Sequence, residues 1–350
     1  MPELCTDLVE AVRRKDEQAF VSTHQAVVRR AKRADAAELT DAIRALAPGL
    51  AEVPLGNGGQ LAVLAGGLIE LGADPAPVLD PLVMRVVDGL ERAARLPALW
   101  ERVSGGADPP APQDVEQVPA VLERFSATAE RLGHTPAQAR AIVEGWFTVG
   151  DWVPGLLVPL QRKEVRQTLP QRDRLTRAAA ALCEDVDAVH WLYGLLRVLD
   201  DESVIVLHRA SGRGYEVTIG GIGDNFQLHT LLAATLIGDP ARGLIPGTPP
   251  KPQWVRAATD GEMEPPGGIY GQFNLVDAFG EWIWNEGRPA DIPLLDGRRV
   301  IMVDPPPYER SWNAGRAYPL MRPTITLDRL LTADEAARWM HAVAPDKRAR

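Results

Sequence analysis

The segment GYEVTIGGIGDNFQLHTLLAATLI, residues 214–237, decides the fold of the second half of this 350-residue chain. Tyr215, Val217 and Ile219 alternate with polar residues, which predicts a strand. The glycines that follow permit backbone angles that residues with a side chain rarely adopt. Asp224 is a good helix N-cap with a glutamine three residues later, so we expect a strand, a sharp glycine turn and then a helix.

Strand and helix patterns on either side of that segment predict a small sheet. The run SVIVLHR (203–209) is separated from it by a short turn, which is typical of an antiparallel hairpin. Further along, the patterns predict a helix at about 270–286, a strand at 298–303 and a helix near 333–343. We therefore expect an α+β fold: a helical N-terminal region followed by a C-terminal region with a small, largely antiparallel sheet and helices.

The first part of the chain has apolar residues at helical spacing and few aromatic ones. Prolines and glycines punctuate this pattern, including GNGGQ (56–60), which we interpret as a turn into the next helix. The Pro- and Gly-rich run VSGGADPPAPQD (103–114) is incompatible with both helix and strand. The sequence thus predicts a helical domain at 1–102, a linker at 103–114, and a helical segment leading into the α+β domain at 115–350.

Charge and composition narrow the class of protein. The net charge is −9 without a basic half or tail, so no obvious footprint exists for a nucleic acid or an anionic membrane. The longest apolar runs are far shorter than the ~20 residues of a membrane span, and the N-terminus lacks the apolar core of a signal peptide. Two cysteines are too few for a disulfide scaffold or a cysteine zinc site. We expect a cytoplasmic protein with neither nucleic acid nor membrane among its partners.

The glycine turn at 220–224 leaves two interpretations open. Glycines between a strand and a helix let the backbone approach a phosphate, and helix amides favour an anion. A dinucleotide site also needs a parallel βαβ unit, whereas this strand belongs to a predicted hairpin and Asp224 brings a negative charge. We favour a structural turn, in which at least one of Gly220, Gly221 and Gly223 has a positive φ angle.

Four residues in this half are candidate metal ligands, of the types that zinc and non-haem iron accept: His190, His208, Asp224 and His229. Their spacing matches no compact ligand motif, and each histidine has a simpler role in packing. We therefore expect no metal and no cofactor. His229, which lies one turn inside the predicted helix, is the strongest functional candidate of the three histidines.

A second cluster begins at Glu281 with the run EWIWNEGR, which falls within the predicted helix at 270–286. Glu281 and Glu286 could act as a pair of catalytic carboxylates, as in glycosidases. Trp282, Trp284 and Asn285 fit an interface instead, because tryptophan is enriched at binding hot spots.

A third cluster follows Tyr308 and mixes aromatic residues with arginine and asparagine. Trp312, Asn313 and Arg316 lie in a run with little regular pattern. Exposed residues of these types are typical of recognition surfaces.

Our first hypothesis is a non-catalytic binding or accessory protein. Its aromatic- and glycine-rich C-terminal region would form a groove for a peptide or protein partner. The helical N-terminal region would support this groove or mediate self-association into a homo-oligomer. The expected anchors are tryptophan, arginine and asparagine side chains: Arg213, Trp282, Trp284, Asn285, Trp312, Asn313 and Arg316.

The alternative hypothesis is an enzyme of unassigned class. His229 and Asp224 would carry its chemistry, with Glu286 as an acid–base partner. The Pro- and Gly-rich segment 238–268 would then be a lid that excludes water. The first hypothesis is favoured because the sequence has no Walker loop, nucleophile elbow or H-E-x-x-H motif.

Overall fold

The computed structural model describes residues 1–261, 268–313 and 315–347. The chain divides into two units, Met1–Leu196 and Arg197–Arg350. Among the described residues, no helix is both long and apolar enough to cross a membrane.

The first unit, all of whose residues are described, consists of helices; most are joined by short turns, and a longer segment, residues 105–117, joins α6 to α7. This confirms the predicted helical N-terminal region. The α-helices are α1 (Pro2–Arg14), α2 (Glu17–Ala31), α3 (Ala36–Glu52), α4 (Leu55–Glu70), α5 (Ala76–Ala93), α6 (Leu96–Ser104), α7 (Val118–Ser126), α8 (Pro136–Trp152), α9 (Pro154–Leu157), α10 (Lys163–Thr168), α11 (Arg172–Ala180) and α12 (Asp187–Leu196).

Residues 56–60 lie inside α4, so the predicted turn is wrong. Gly58 lies against the ring of Trp152 on α8, where an added Cβ would come 2.1 Å from Cζ2. The indole Nε1 of Trp152 donates a hydrogen bond to the Leu55 carbonyl at 2.7 Å. The glycines let α8 approach α4 closely, and this packing outweighs their low helix propensity.

The predicted linker, residues 103–114, lies inside the first unit. Trp100 Nε1 donates a hydrogen bond to the Asp108 carbonyl, and Trp146 Nε1 donates one to the Pro110 carbonyl, each at 2.9 Å. These two bonds hold the segment between α6 and α7. The predicted division of the chain on either side of it stays a prediction.

The second unit is α+β, as predicted. Its helices are α13 (Asn225–Leu236), α14 (Pro252–Asp260) and α15 (Ala333–Ala342). Its strands are β1 (Glu202–His208), β2 (Arg213–Gly220), β3 (Ile269–Tyr270), β4 (Asn274–Asp277), β5 (Leu294–Leu295), β6 (Arg298–Asp304), β7 (Ser311–Trp312) and β8 (Thr324–Leu330). The main sheet has the order β4-β6-β1-β2-β8 with β5 paired to β6, while β3 and β7 pair separately. Among the described strands only β1 and β6 pair in parallel.

Alternation along β1 builds the core on both faces of the main sheet. Val204 and Val206 belong to an apolar cluster shared with α13 and α14, whereas Ile205 and Leu207 belong to a cluster against which α15 packs. Successive side chains of a strand point to opposite faces, so the sheet is covered on both sides. The predicted β1–β2 hairpin, strand β6 and helix α15 are confirmed.

The predicted helix at about 270–286 is wrong. This segment contains β3, β4 and a loop, and Val276 forms an antiparallel bridge with Trp282. Leu275 and Val276 are adjacent in sequence and pack into the two different apolar clusters. Pairing of β4 with β6 buries both neighbours on opposite faces, which explains why a strand forms here.

The Pro- and Gly-rich segment 238–268 contains a regular helix, α14. Pro252 stands at the start of this helix, a helix-start signal that the number of prolines obscured. Trp254 and Ala258 on α14 are buried. Residues 262–267 lie outside the described residues, and the lid hypothesis stays a prediction.

Candidate binding cleft

The turn between β2 and α13 has the predicted glycine geometry. Gly221 has a φ angle of +64°, which confirms the expected positive φ. An added Cβ on Gly221 would come 2.7 Å from the Arg322 carbonyl oxygen. Gly223 is equally close to its neighbours, since a Cβ there would lie 2.8 Å from that of Ala317. The chain thus reverses tightly against the segment that follows Arg316.

Asp224 caps α13, as predicted. Its Oδ1 accepts a hydrogen bond from the Gln227 amide at 2.8 Å. The side chain of Gln227 accepts from the Gly223 amide at 2.9 Å and donates to the Ala258 carbonyl at 2.7 Å. In the expected capping box the glutamine side chain would accept from the amide of Asp224, whereas here it accepts from the amide of Gly223. The bond from the same side chain to the Ala258 carbonyl ties the turn to α14.

The other amides at the start of α13 are also occupied. Asn225 N donates to the Gly287 carbonyl at 2.9 Å, and Phe226 N donates to the Asn285 carbonyl at 3.1 Å. Together with the Gln227 amide, these bonds satisfy the first turn of the helix from within the protein. A phosphate would find no free amide there, so the geometry supports the structural interpretation of the turn.

A cleft of about 340 Å³ opens beside the start of α13. Two segments form it, one from the cap of the helix and one after β7. The lining residues are Asp224, Phe226, Trp312, Asn313, Gly315, Arg316 and Ala317. The structure thus brings together three predicted binding residues and one predicted catalytic candidate.

Two lining side chains carry buried donors without an acceptor. Trp312 Nε1 and Arg316 Nε are enclosed, and neither has a hydrogen-bond partner in the part of the chain that the structure describes. The Arg316 side chain lies against Gly261, where an added Cβ would meet its Nη2 at 2.1 Å. Its Nη1 lies 3.5 Å from the Met321 carbonyl. Three other arginine Nε atoms among the described residues, those of Arg298, Arg299 and Arg310, are enclosed in the same way, so the interest of Trp312 and Arg316 comes from their place beside the cleft.

His229 lies behind Trp312 and is fully buried. Its ring centroid is 4.8 Å from that of Trp312 and 5.9 Å from that of Phe273. Its Nε2 accepts hydrogen bonds from the amides of Gln272 and Phe273, both at 3.1 Å. With Nε2 occupied as an acceptor, the neutral ring carries its hydrogen on Nδ1. The ring therefore has no free lone pair with which to accept a proton from a ligand.

Burial controls the electrostatics around the cleft. Burial, together with the charge of Arg310, lowers the pKa of His229 to about 3, and the Asn285 side chain opposes this shift. Burial raises the pKa of Asp224, against the effect of its bonds to the amides of Gln227 and Phe226. Both shifts favour the neutral forms of these groups.

Tyr318, which follows the cleft segment, is buried beside the same carboxylate. Burial, aided by the negative charge of Asp224, raises the pKa of Tyr318 to about 12, while Arg288 lowers it. Tyr318 therefore stays a neutral phenol at physiological pH.

Trp282 and Trp284 do not line the cleft; they form an aromatic patch with Tyr308. The ring centroid of Trp282 is 6.1 Å from that of Trp284 and 6.3 Å from that of Tyr308. Trp284 and Tyr308 are 50% and 51% exposed. Trp282 Nε1 donates a hydrogen bond to Asp346 at 3.1 Å, which fixes the centre of the patch.

The other candidate residues are placed apart from the cleft or inside the protein. Arg213 begins β2, at the opposite end from the glycine turn, and donates to the Leu244 carbonyl at 2.7 Å. Asn285 is buried and positions α13 through its carbonyl. Glu286 is exposed, and so is Glu281, which pairs with Lys347 at 2.7 Å.

The candidate metal ligands are His190, His208, Asp224 and His229, and the structure gives each of the first two a place of its own. His190 lies on α12 of the first unit, and His208 Nδ1 is 2.7 Å from Ser211 Oγ. Within residues 1–261, 268–313 and 315–347, no group of three or more histidine, cysteine, aspartate or glutamate side chains could hold a metal ion.

Sequence reasoning missed Phe226, Gly315 and Ala317 as lining residues. Phe226 is the second residue of α13, and nothing in the local sequence places it beside the segment after β7. Comparison of the chain with protein-family models, curated proteins and solved structures gives no match. The functional argument therefore depends on the cleft itself.

Proposed function

We propose that this protein is a non-catalytic binding or accessory protein whose second unit binds a peptide segment of a partner in the cleft. The observation that supports this most is the pair of enclosed donors, Trp312 Nε1 and Arg316 Nε, on residues that line an open cleft. A peptide offers a carbonyl oxygen at every residue, so it supplies acceptors for the donor side chains that line the cleft.

The composition of the cleft agrees with peptide recognition. The rings of Trp312 and Phe226 pack at an angle of 54° with centroids 5.7 Å apart and supply apolar surface. Asn313 and Asp224 supply polar groups at the same opening. A volume of about 340 Å³ is at the lower end of the range for ligand sites, which suits a few residues of a partner.

Catalysis has less support from the geometry. His229 is enclosed, and its acceptor nitrogen is occupied by two backbone amides. Asp224 is engaged as a helix cap, and Glu286 does not line the cleft. A general base must reach the proton that it removes, and His229 has no such access.

Selection from a library of random heptapeptides with free carboxyl ends tests this proposal. The immobilised protein should enrich a defined peptide motif. The Trp312→Ala and Arg316→Ala variants should lose this motif, because truncating a hot-spot side chain costs at least about 2 kcal/mol of binding. Trp191→Ala, which truncates a half-exposed tryptophan of the first unit, serves as the matched control.

The variants must remain folded for this comparison, which circular dichroism and urea denaturation establish. If Trp284→Ala abolishes selection while the cleft variants retain it, the aromatic patch is the binding surface and the cleft proposal fails. Failure of the parent protein to enrich any motif would count against peptide binding.

A further inference from the structure

We infer that the cleft recognises a carboxylate group carried by a peptide, an inference that rests on the proposed peptide-binding function. Arg316 and Trp312 bind the carboxylate oxygens, and Asp224 accepts a neighbouring N–H group. The carboxylate is either the carboxyl end of the partner or an acidic side chain, since the chemistry of the two is the same.

The donors in the cleft determine this ligand class. Arg316 presents a charged guanidinium whose Nε is enclosed and unpaired within the described residues, and Trp312 presents an indole N–H in the same condition. Guanidinium groups bind carboxylates through parallel N–H bonds, and charge-assisted bonds of this kind are stronger than those to neutral carbonyls. Indole Nε1 is a donor only, so its partner must also be an acceptor.

Asp224 argues against a simple inorganic anion. Its carboxylate lines the same cleft, so a phosphate or sulfate ion would meet a negative group with no N–H to offer in return. The amides at the start of α13 donate to Asp224, Asn285 and Gly287 and add nothing for an anion. A peptide carries N–H groups beside its carboxylates, and these suit the acceptor at Asp224.

The aromatic wall is held in place before a ligand arrives. Trp312 pairs in β7 with Ile269 of β3, and its ring packs against His229 and against the cluster of Trp254 and Ala257. A side chain that is already fixed loses little conformational freedom on binding. The indole ring therefore forms a fixed wall of the cleft.

Side-chain indole resonances of the ¹⁵N-labelled protein provide the test, because the chain has nine tryptophans and Trp312→Phe identifies the signal of Trp312. The probes are acetyl-Gly-Gly-Leu as the free acid, the same peptide as its carboxamide, and acetyl-Gly-Glu-Gly-amide. We expect a carboxylate peptide to shift the Trp312 indole signal and the carboxamide to leave it unchanged.

Affinities from the same titrations test the role of the arginine. Arg316→Gln should weaken binding of the carboxylate peptide by about tenfold or more, because a charge-assisted bond is lost. Arg316→Lys keeps the charge but loses the parallel N–H donors of the guanidinium group, and it should retain part of the affinity. Arg242→Gln makes the same change at an exposed arginine outside the cleft and should leave the affinity unchanged.

The outcomes distinguish a carboxyl end from an acidic side chain, and they distinguish the carboxylate inference from the proposed peptide binding. A shift with the free acid alone supports recognition of a carboxyl end, and a shift with the glutamate peptide supports recognition of an acidic side chain. Equal binding of the carboxamide, or no shift with either carboxylate, overturns the inference. If library selection still depends on Trp312 in that case, peptide binding stands and only the carboxylate inference falls.

Discussion

His229 acts as a buried acceptor for the backbone, which explains its special position one turn into α13. Its Nε2 receives the amides of Gln272 and Phe273 and so ties the chain before β4 to the helix. An unpaired amide in the core costs about 1–3 kcal/mol, so the ring stabilises this loop. The same ring supports Trp312 from behind, and in this way a structural histidine shapes the wall of the cleft.

The lowered pKa of His229, about 3 in the folded protein, predicts a pH dependence of stability. An unfolded histidine titrates near ~6.5, so the unfolded state binds the proton more readily. This contribution is fully present above about pH 6.5 and decreases by roughly 1.4 kcal/mol per pH unit towards pH 3. Gln at this position can accept the amides without titrating. Urea denaturation at pH 7, 6 and 5 should therefore show a steeper loss of stability for the parent than for His229→Gln; equal slopes would contradict the assignment.

Asp224 is expected to contribute mainly as a cap. Replacement by alanine removes the acceptor for the Gln227 amide and should lower the free energy of unfolding by about 0.5–2 kcal/mol. Asp224→Asn keeps an oxygen at the same place and should cost much less. Urea denaturation of the two variants measures both values. If the alanine and asparagine variants lose equal stability, the loss does not come from the capping bond to the Gln227 amide.

The residues that line the cleft show how far single positions can be predicted. Trp312, Asn313 and Arg316 were proposed as anchors because they are recognition-type side chains in a run without a regular pattern. Phe226 was missed, since its place in the cleft depends on a contact between segments far apart in the chain. No local pattern encodes that contact, because tertiary packing alone brings the start of α13 to the segment after β7.

The strand–turn–helix element depends on Gly221. Two separate features oppose a side chain at this position. The φ angle is +64°, and an added Cβ would lie 2.7 Å from the Arg322 carbonyl oxygen. Gly212 has a φ of +67° and open space around it, so it is a matched control for the angle alone. Gly212→Ala should cost about 1 kcal/mol, and Gly221→Ala should cost clearly more. Equal losses in thermal or urea denaturation would show that the contact is unimportant.

Helix α4 offers a matched pair of glycines within one turn. Gly58 lies against Trp152, whereas Gly56 has no atom within 4 Å of an added Cβ. Gly56→Ala should stabilise the first unit by about 0.5–1 kcal/mol, because alanine is the better helix former. Gly58→Ala should destabilise it by roughly 1–3 kcal/mol through overpacking. Denaturation curves that show two stabilised variants would contradict the close approach of α8 to α4.

Helices and strands were predictable where the sequence shows a clear hydrophobic period or a capping signal. The alternation in β1 and β2 predicted the hairpin, and Thr332 with Glu335 predicted α15, whose capping box is formed. The error at 270–286 arose because a short strand buried on both faces has no alternation to reveal it. The glycines of α4 were misjudged for the related reason that their helical state is decided by a partner helix.

At the scale of the whole molecule, every group that forms the cleft belongs to the second unit. Asp224, Trp312 and Arg316 lie in residues 197–350, as do the helices and strands that position them. This unit has its own apolar clusters on both faces of the main sheet. Self-association through the first unit stays a prediction. Binding of a partner by the complete chain stays one as well.

Residues 197–350 expressed alone should therefore fold and enrich the same peptide motif as the complete chain. A chain of about 150 residues buries roughly two thirds of its surface on folding, which suffices for independent stability. Cooperative urea denaturation and the heptapeptide selection measure folding and binding separately. The Trp312→Ala variant of the fragment is the matched control for binding. A fragment that folds cooperatively but selects no motif would mean that residues 1–196 contribute to recognition, and a fragment without a cooperative transition would mean that the second unit needs the first for its stability.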